Sequence, residues 1–319
     1  SAKSAPKLNK ARLDSMLKKT VAELEKSPEN AIFLAQELYD EDSTEKQVIY
    51  LLAKAHSVNG DNEMSDFYNE QLLKKDSLYL PSLILKAEHL IAARNFQNAN
   101  TIIGNINQKF PQSASAHYLN ARYALSQNSL DAADNEATLA LQTDTTILDA
   151  YIVLATSAMK QKEYTQAADY FAKGFPLVQL SSEQLNNYGV CLLESGKYKE
   201  AVAILQQANE NSDNPKLAYN FGLALYQNKQ YAEARKQFAL ENDSLSLYFI
   251  AKSFEAENEL DSALLAYQQF QQTNKSISVT REIWLLKVVI FFSRNWYYIL
   301  AAVVFAIILL ISIFKKKEI

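Results

Sequence analysis

Few residues in this sequence have the types and spacing that chemistry at a protein site requires. The three histidines, His56, His89 and His117, lack the i, i+4 spacing that puts two metal ligands on one helix face, and no HExxH motif occurs. The single cysteine, Cys191, lies in an apolar segment and is predicted to be a buried, unreactive thiol. No GxGxxG, GxxxxGK[ST] or GxSxG motif is present. We therefore expect no metal site, no cofactor, no small-molecule substrate and no catalytic residue.

The composition narrows the possible folds and partners. The chain has 319 residues, a net charge of −4 and only 6 Gly and 6 Pro. This charge provides no basic surface for nucleic acid. Because Gly and Pro are the residues that tight turns favour, their low number favours long runs of helix.

One short string recurs along the chain. An aromatic residue or Leu is followed three positions later by Ala, at Phe96–Ala99, Leu130–Ala133, Tyr164–Ala167, Tyr198–Ala201, Tyr231–Ala234 and Leu260–Ala263. Successive alanines are 34, 34, 34, 33 and 29 positions apart. A period of this length is typical of repeat arrays, in which each copy is one supersecondary unit.

The residues around each string predict a pair of helices. An amphipathic segment comes before each string and is predicted to be the first helix. A short polar turn, at 126–128, 194–196 or 227–229, follows this segment, and a second helix then begins. The recurring Ala would let the two backbones approach closely. A single pair cannot bury its apolar face, so stacked pairs must share one continuous core.

These repeats resemble the tetratricopeptide repeat (TPR) family, whose 34-residue helix–turn–helix unit carries small residues at fixed positions. Residues 182–214 and 215–243 match best, with Gly189 and Gly222 at one small-residue position. Other units place alanines there: Ala87, Ala121, Ala155 and Ala251. The resemblance implies an all-α fold, a TPR-type α-solenoid forming a right-handed superhelix, with about six repeats in residues 80–273. Residues 1–79 are predicted to be degenerate N-terminal helical repeats.

The C-terminal region predicts a membrane anchor. Residues 296–314 carry no charge and would span about 28 Å as a helix, close to a bilayer core of about 30 Å. Aromatic residues precede the span and lysines follow it: Trp296, Tyr297 and Tyr298, then Lys315, Lys316 and Lys317 in the basic tail 315–319. Residues 274–295 are predicted to be a flexible joint (274–279) and an interfacial helix (283–292) that ends at 293–295. The alternative is that the 283–292 segment covers the exposed face of the last repeat.

Two features of the sequence bear on the orientation of the predicted single-pass protein in the membrane. The lysine cluster favours a cytoplasmic C-terminus, which would place the repeats in a bacterial periplasm, with the span in the inner membrane. Residue 1 is Ser rather than Met, as expected after removal of a signal peptide. The alternative is a tail-anchored protein with cytosolic repeats.

The resemblance implies a partner-binding groove lined by the first helix of each repeat. By register its residues are Tyr118, Arg122, Thr156, Lys160, Asn186, Tyr219, Tyr226, Tyr248 and Lys252. The alternative for the tyrosines is packing between helices. At positions where a chaperone-binding TPR subfamily has paired Lys and Asn, this chain has apolar residues such as Ile152, Val153 and Leu223.

The sequence thus predicts a membrane-anchored scaffold or adaptor, not an enzyme. It would bind protein partners through the solenoid and contact the lipid bilayer through residues 296–314. One alternative is a structural or accessory subunit of a multi-subunit membrane complex for envelope assembly or export. Another is a periplasmic sensor or regulator that relays a signal through its membrane helix.

Overall fold

A computed structural model describes residues 10–175, 180–210, 214–241, 243–274 and 278–316 of the chain. These residues form seventeen α-helices and no strand. By its internal contacts the chain divides into two units, Ser1–Gln179 and Leu180–Ile319, called unit 1 and unit 2 below. The predicted all-α solenoid of helix pairs is confirmed.

Unit 1 contains five helix pairs, and the members of each pair are antiparallel neighbours joined by a short turn. In chain order they are α1 (Lys10–Lys26), α2 (Pro28–Glu41), α3 (Lys46–Val58), α4 (Asn62–Lys75), α5 (Leu80–Ala92), α6 (Phe96–Lys109), α7 (Ala114–Ser126), α8 (Leu130–Thr143), α9 (Asp149–Lys160) and α10 (Tyr164–Gly174). We call the first helix of each pair helix A and the second helix B. From α3 onward each helix A also contacts the next helix A of the unit, so the A helices form one shared surface.

Unit 2 contains three further pairs and one long helix. They are α11 (Ser182–Glu194), α12 (Tyr198–Glu210), α13 (Pro215–Gln227), α14 (Tyr231–Glu241), α15 (Ser244–Ala256), α16 (Leu260–Thr273) and α17 (Thr280–Lys316). Helix α13 contacts both its own partner α14 and the preceding pair α11–α12.

The turn between helix A and helix B has the same backbone geometry in seven consecutive pairs. Two positions before helix B, one residue has φ between 56° and 81°: Gly60, Arg94, Asn128, Lys162, Gly196, Lys229 or Asn258. The N–H of the next residue then donates to a carbonyl of helix A, as Asn95 does to Leu90 at 2.8 Å. This Schellman arrangement satisfies carbonyls that would otherwise be orphaned at the helix end. The predicted polar turns at 126–128, 194–196 and 227–229 are confirmed.

Small residues let the two helices of a pair approach closely. The six alanines that define the period are all fully buried: Ala99, Ala133, Ala167, Ala201, Ala234 and Ala263. On the facing helix A, a Cβ added to Gly189 would overlap Leu205, and one added to Gly222 would lie 2.8 Å from Phe238. A larger side chain at either position would therefore force Leu205 or Phe238 to shift, or the two helices to move apart.

The same register continues upstream of residue 80. Ser65 lies 34 positions before Ala99, and Ala53 lies 34 positions before Ala87; both are fully buried between α3 and α4. The pair α3–α4 therefore has the geometry of the later pairs, although Ser65 replaces the alanine that marks the period. Helices α1 and α2 form one more pair before it.

Helix α17 differs from the predicted C-terminal region. It runs without interruption from Thr280 to Lys316, so the predicted helix end at 293–295 is absent. The physical reason is that Ser293, Arg294 and Asn295 are no helix breakers, and α17 contains neither Gly nor Pro. Residues 275–277 of the predicted joint and Lys317 of the basic tail lie outside the described residues.

The first half of α17 packs against the last helix pair. Val279, Leu286 and Ile290 are buried with Tyr267 and Phe270 of α16. The alternative interpretation of segment 283–292 was that it covers the exposed face of the last repeat. This contact agrees with that alternative. The opposite side of the same segment stays exposed and is described below.

Candidate functional site

One side-chain cluster in unit 1 has the composition of a hydrolase triad. Ser57 Oγ lies 2.9 Å from His89 Nε2, and His89 Nδ1 lies 2.7 Å from Asp66 Oδ1. No sequence motif indicates this cluster, because its members come from α3, α4 and α5. Its connectivity matches the order nucleophile, base and orienting carboxylate.

The surroundings of Ser57 oppose acyl-transfer chemistry. Ser57 lies in the last turn of α3, where the helix dipole places partial negative charge and would destabilise an oxyanion. The nearby backbone N–H groups of Asn59, Gly60 and Asp61 already donate to carbonyls of α3. The cluster therefore ties three helices together by hydrogen bonds and has no oxyanion donors in this turn.

The other candidate reactive groups are also engaged in structure. His56 Nδ1 lies 3.2 Å from Asp61, and His117 Nδ1 lies 2.8 Å from Glu136. No group of three or more His, Cys, Asp or Glu side chains is arranged for a metal ion among the described residues. Cys191 is fully buried, and burial, with a smaller contribution from Glu194, raises the pKa of its thiol to about 12. A thiol in that state is a poor nucleophile at neutral pH.

A cavity of unit 1 lies on the surface made by its A helices. It has a volume of about 520 Å³, and α3, α5, α7 and the start of α9 contribute to it. Its lining combines apolar side chains with charged and phenolic ones: Tyr50, Lys54, Leu80, Pro81, Ile84, Leu85, Glu88, Ser115, Tyr118, Thr146, Ile147, Leu148 and Asp149. Such a mixture is typical of ligand sites, where apolar area supplies affinity and a few polar groups fix orientation.

Two charged residues of this cavity, and a third beside it, occupy the same position in successive repeats. Lys54, Glu88 and Arg122 are each 34 positions apart, on α3, α5 and α7. Glu88 accepts a hydrogen bond from Arg122 and lies 3.7 Å from Lys54 Nζ. One carboxylate therefore bridges two cations, each of which keeps 34% of its side-chain surface exposed.

Burial and these charges alter the acid–base properties of the two tyrosines in the cavity. Burial, followed by the charge of Glu88, raises the pKa of Tyr50 to about 12. Burial also raises the pKa of Tyr118, whose ring lies 5.8 Å from the Arg122 guanidinium carbon. Both phenols stay protonated at neutral pH and can donate hydrogen bonds to a ligand.

The structure brings together only some of the groove residues predicted in unit 1. Tyr118 lines the cavity, and Arg122 lies beside it, with its guanidinium carbon 5.8 Å from the Tyr118 ring centroid. Thr156 instead donates to Ile152 O of its own helix at 2.7 Å, and Lys160 donates to Asn128 at 3.3 Å. Lys54, Glu88 and Tyr50 were missed, although applying the 34-residue period to Arg122 and Tyr118 would have found them.

The A helices of unit 2 carry a different set of side chains at the same repeat positions. Asn186, Tyr219 and Tyr248 correspond to Tyr118 of unit 1. Asn220 Nδ2 donates to Asn186 Oδ1 at 2.8 Å, which links α13 to α11. A pair of neutral amides thus links the A helices of unit 2, at repeat positions other than those of the ion network in unit 1.

Aromatic rings dominate the rest of the unit 2 surface. Tyr219 packs against Phe238 and Phe249, with ring centroids 5.7 and 6.1 Å away. Tyr226 lies 5.7 Å from Phe249, and Tyr248 lies 5.6 Å from the same ring. All three tyrosines are half-buried, so each ring serves in packing and keeps an exposed part.

Electrostatic effects on the A-helix surface of unit 2 are local. Burial, with smaller contributions from Asp243 and Glu241, raises the pKa of Tyr219 to about 12. Lys252 Nζ donates to Glu255 Oε2 at 3.1 Å, three residues along α15. This ion pair lies within one helix, whereas the Lys54–Glu88–Arg122 network joins three.

The exposed side of α17 is strongly apolar. Before the predicted span it presents Trp284, Leu285, Val289, Phe291 and Phe292, which are between 43% and 61% exposed. The predicted aromatic residues Trp296, Tyr297 and Tyr298 continue this surface and are exposed too. Helix α17 is long enough and apolar enough to cross a membrane. Lys315 and Lys316 lie in its last turn.

Comparisons with known proteins agree with this geometry. Residues 177–239 match the family "Anaphase-promoting complex, cyclosome, subunit 3". Comparison with curated proteins gives no match.

Among solved structures, the chain is similar to YrrB, described as a TPR protein with an unusual peptide-binding site. The match has 20% sequence identity and a TM-score of 0.52, and covers 55% of this chain and 93% of YrrB. It is also similar to the Cut9–Hcn1 hetero-tetramer of the APC/C, with 16% identity and a TM-score of 0.56. That match covers 88% of this chain and 59% of the other. At these identities the likeness concerns the fold.

The repeat register, the seven equivalent turns and these likenesses together show that the chain has the fold of tetratricopeptide repeat proteins, followed by a long apolar C-terminal helix.

Proposed function

We propose that this protein is a membrane-anchored scaffold that binds a protein partner on the surface of its A helices and holds it at the membrane. The activity is binding rather than catalysis. The array presents a preformed surface, so little conformational entropy is lost on binding. Confinement to a membrane raises the effective concentration of the scaffold near a membrane-bound partner.

The observation that carries this proposal is the cavity of about 520 Å³ in unit 1. It lies on the face where A helices meet, and it offers apolar area beside a half-exposed ion network. Tyr and Arg are the residue types that most often dominate binding energy at protein interfaces, and Tyr50, Tyr118 and Arg122 all line or adjoin this cavity.

Site-specific photo-crosslinking tests the proposal on the full chain in its native membranes. A photoreactive amino acid at Ser115, in the cavity, should give a discrete adduct, whereas one at the exposed Asn135 of α8 should not. Arg122→Ala should abolish the adduct. Lys86→Ala, which removes a half-buried cation of α5 paired with the exposed Glu70, should leave it intact. Equal adducts at Ser115 and Asn135 would contradict binding at the cavity.

The proposed anchor is residues 296–314 of α17, in a bacterial inner membrane with the repeats in the periplasm. Support comes from the length of α17 and from the lysines that follow the span. Alkaline extraction should leave the chain in the membrane. A cysteine at Ser278 should react with an impermeant thiol reagent added to intact cells or to sealed right-side-out vesicles. Reaction only after permeabilisation would indicate cytosolic repeats on a tail-anchored protein.

A second candidate function is that of a fixed subunit in a multi-subunit membrane complex. The exposed apolar side of α17 before the span favours it, because Trp284 and Leu285 have no cover in the chain's described part. Photo-crosslinks from Leu285 to one membrane protein, copurifying at constant stoichiometry, would support this candidate. Crosslinks from Ser115 alone would support the adaptor.

A further inference from the structure

The first half of helix α17 runs antiparallel to α16 and contacts it near both ends of α16. Near the start of α17, the N–H of Val279 donates to Gln271, close to the end of α16, at 2.9 Å. One helix length further, Arg294 donates to Asp261, in the first turn of α16, at 2.7 Å. Between these points Leu286 and Ile290 are buried against Phe270 and its neighbours. The two helices are therefore in register along the whole length of α16.

This register fixes where the last helix pair lies relative to the predicted span. Arg294 precedes Trp296 by two residues, or about 3 Å along the helix axis. Because α17 has neither Gly nor Pro between Thr280 and Lys316, nothing in its sequence provides a sharp bend between the docked half and the span. The N-terminus of α16 must then lie near the level at which the span enters the bilayer.

The turn that precedes α16 belongs to the same edge of unit 2. It contains Glu257, Asn258 and Glu259, and its equivalent in the preceding pair contains Lys229. The other ends of these helices, such as Gln272 near the end of α16, point the opposite way. Helix α16 is about 20 Å long, which separates the two edges.

The carboxylates at this edge are paired with arginines, which suits a location near the bilayer surface. Glu257 and Glu259 both pair with Arg235 of α14, and Asp261 pairs with Arg294. Bare carboxylates would be repelled by anionic lipid headgroups, and pairing these three carboxylates with two arginines reduces that repulsion. Arg235 is held in place by packing over the Phe254 ring, with 4.2 Å between the guanidinium carbon and the ring centroid.

We propose that the edge of unit 2 formed by its helix A–helix B turns, with the α15–α16 turn foremost, faces the membrane surface and contacts lipid headgroups. This inference rests on the proposed span in α17. It also specifies the partner's location: Tyr248 and Lys252 of α15 lie within about 15 Å of that turn along the helix. A partner bound there would lie beside the bilayer. The juxtamembrane segment of an integral membrane protein fits that location.

Fluorescence quenching by a headgroup-labelled lipid tests the orientation. The full chain is reconstituted in vesicles of phosphatidylcholine and phosphatidylglycerol, with an environment-sensitive dye on Asn258→Cys, Lys229→Cys or Gln272→Cys. The chain without an added cysteine measures any labelling of buried Cys191. We expect the greatest loss of fluorescence at 258, less at 229 and the least at 272. Equal loss at 258 and 272, or a greater loss at 272, would overturn the inference.

Two further measurements separate this inference from the proposed anchor. Inserting seven residues of neutral helix after Asn295 moves the repeats about 10 Å from the bilayer without rotating them greatly, and should reduce quenching at 258. Unchanged quenching would overturn the proposed contact. Alkaline extraction of the same vesicles reports on the span: loss of the chain overturns both proposals, whereas a retained chain with equal quenching at 258 and 272 overturns only the orientation.

Discussion

The A-helix surfaces of units 1 and 2 follow the same repeat register but differ in their interactions, which are ionic in unit 1 and amide and aromatic in unit 2. In unit 1 the equivalent positions on α3, α5 and α7 hold Lys54, Glu88 and Arg122, and the three charges meet. In unit 2 the amides of Asn186 and Asn220 pair, and rings surround Phe249. The backbone repeat therefore fixes where side chains stand, while the residue types decide whether a surface is ionic or aromatic.

This contrast separates two sources of stability. The unit 2 surface is continuous with the core, because Tyr219 packs directly on the fully buried Phe238. The unit 1 surface depends on ions that are partly solvated, and such ions contribute less to folding. Perturbing the core of unit 2 should therefore cost more free energy of unfolding than breaking the ion network of unit 1.

The largest effect is expected for Phe238→Ala. Removing this ring deletes its stacking on Phe249 and leaves a cavity beneath Tyr219, which should lower the free energy of unfolding by about 3–5 kcal/mol. Leu240→Ala in the same helix is the control, because Leu240 is 62% exposed and its loss should cost little. Urea unfolding of the full chain in detergent gives the cost, and amide exchange assigns it to α13–α15. Equal costs for the two variants would contradict the core role given to Phe238 in unit 2.

Breaking the ion network of unit 1 should have the next largest effect. Glu88→Ala leaves Lys54 and Arg122 without their shared carboxylate, and we expect a loss of about 2 kcal/mol. This is below the cost for a fully buried pair because both cations keep solvent contact. Glu70→Ala, which removes an exposed partner of Lys86, should cost under about 1 kcal/mol. The same urea and exchange measurements apply, with protection lost in α3, α5 and α7.

Two helical glycines, one in each unit, should respond with opposite sign to the same substitution. Gly222→Ala would place a Cβ 2.8 Å from Phe238 and should destabilise unit 2 by about 1–2 kcal/mol. Gly104 in α6 has open space around its missing Cβ, so Gly104→Ala should stabilise unit 1 by somewhat under about 1 kcal/mol. Thermal unfolding in detergent measures both changes. A destabilising Gly104→Ala would show that α6 has a close neighbour at this point.

The smallest effect concerns phenol ionisation. The pKa of Tyr50 and that of Tyr219 are each raised to about 12, mainly by burial. Because the folded pKa exceeds the ordinary 10.0, the stability linked to these groups is complete below pH 10 and is lost as the pH rises towards 12. Glu88→Gln should lower the pKa of Tyr50 and leave that of Tyr219 unchanged, in an ultraviolet titration of the phenols. An equal shift at both would contradict the separation of the two surfaces.

The sequence predicted the periodic features well because they depend on backbone approach. Ala99 and its equivalents mark a contact in which any larger side chain would separate two helices, so the residue type reveals the geometry. The pair α3–α4 was harder to recognise because Ser65 fills the same space with a different chemical type.

Side-chain contacts between repeats were predicted less well. Tyr118 and Arg122 lie together on α7, yet Thr156 occupies the position equivalent to Arg122 and donates to a carbonyl of its own helix. Which partner a side chain selects depends on its length, rotamer and neighbours, and the period carries none of these. The continuity of α17 was missed for a similar reason, since the polar residues at 293–295 suggested a helix end that their helix propensities do not require.

The docking of α17 on the last pair has a practical consequence for work with soluble fragments. In a repeat array the terminal pair lacks a neighbour on one side and relies on a polar outer face or a cover for solubility. Here the cover is the first half of α17, which buries Tyr267 and Phe270. A fragment that ends at Asn274 would expose those rings and tend to aggregate. One that ends shortly after Asn295 would keep the cover and the Arg294–Asp261 pair while omitting the proposed membrane span.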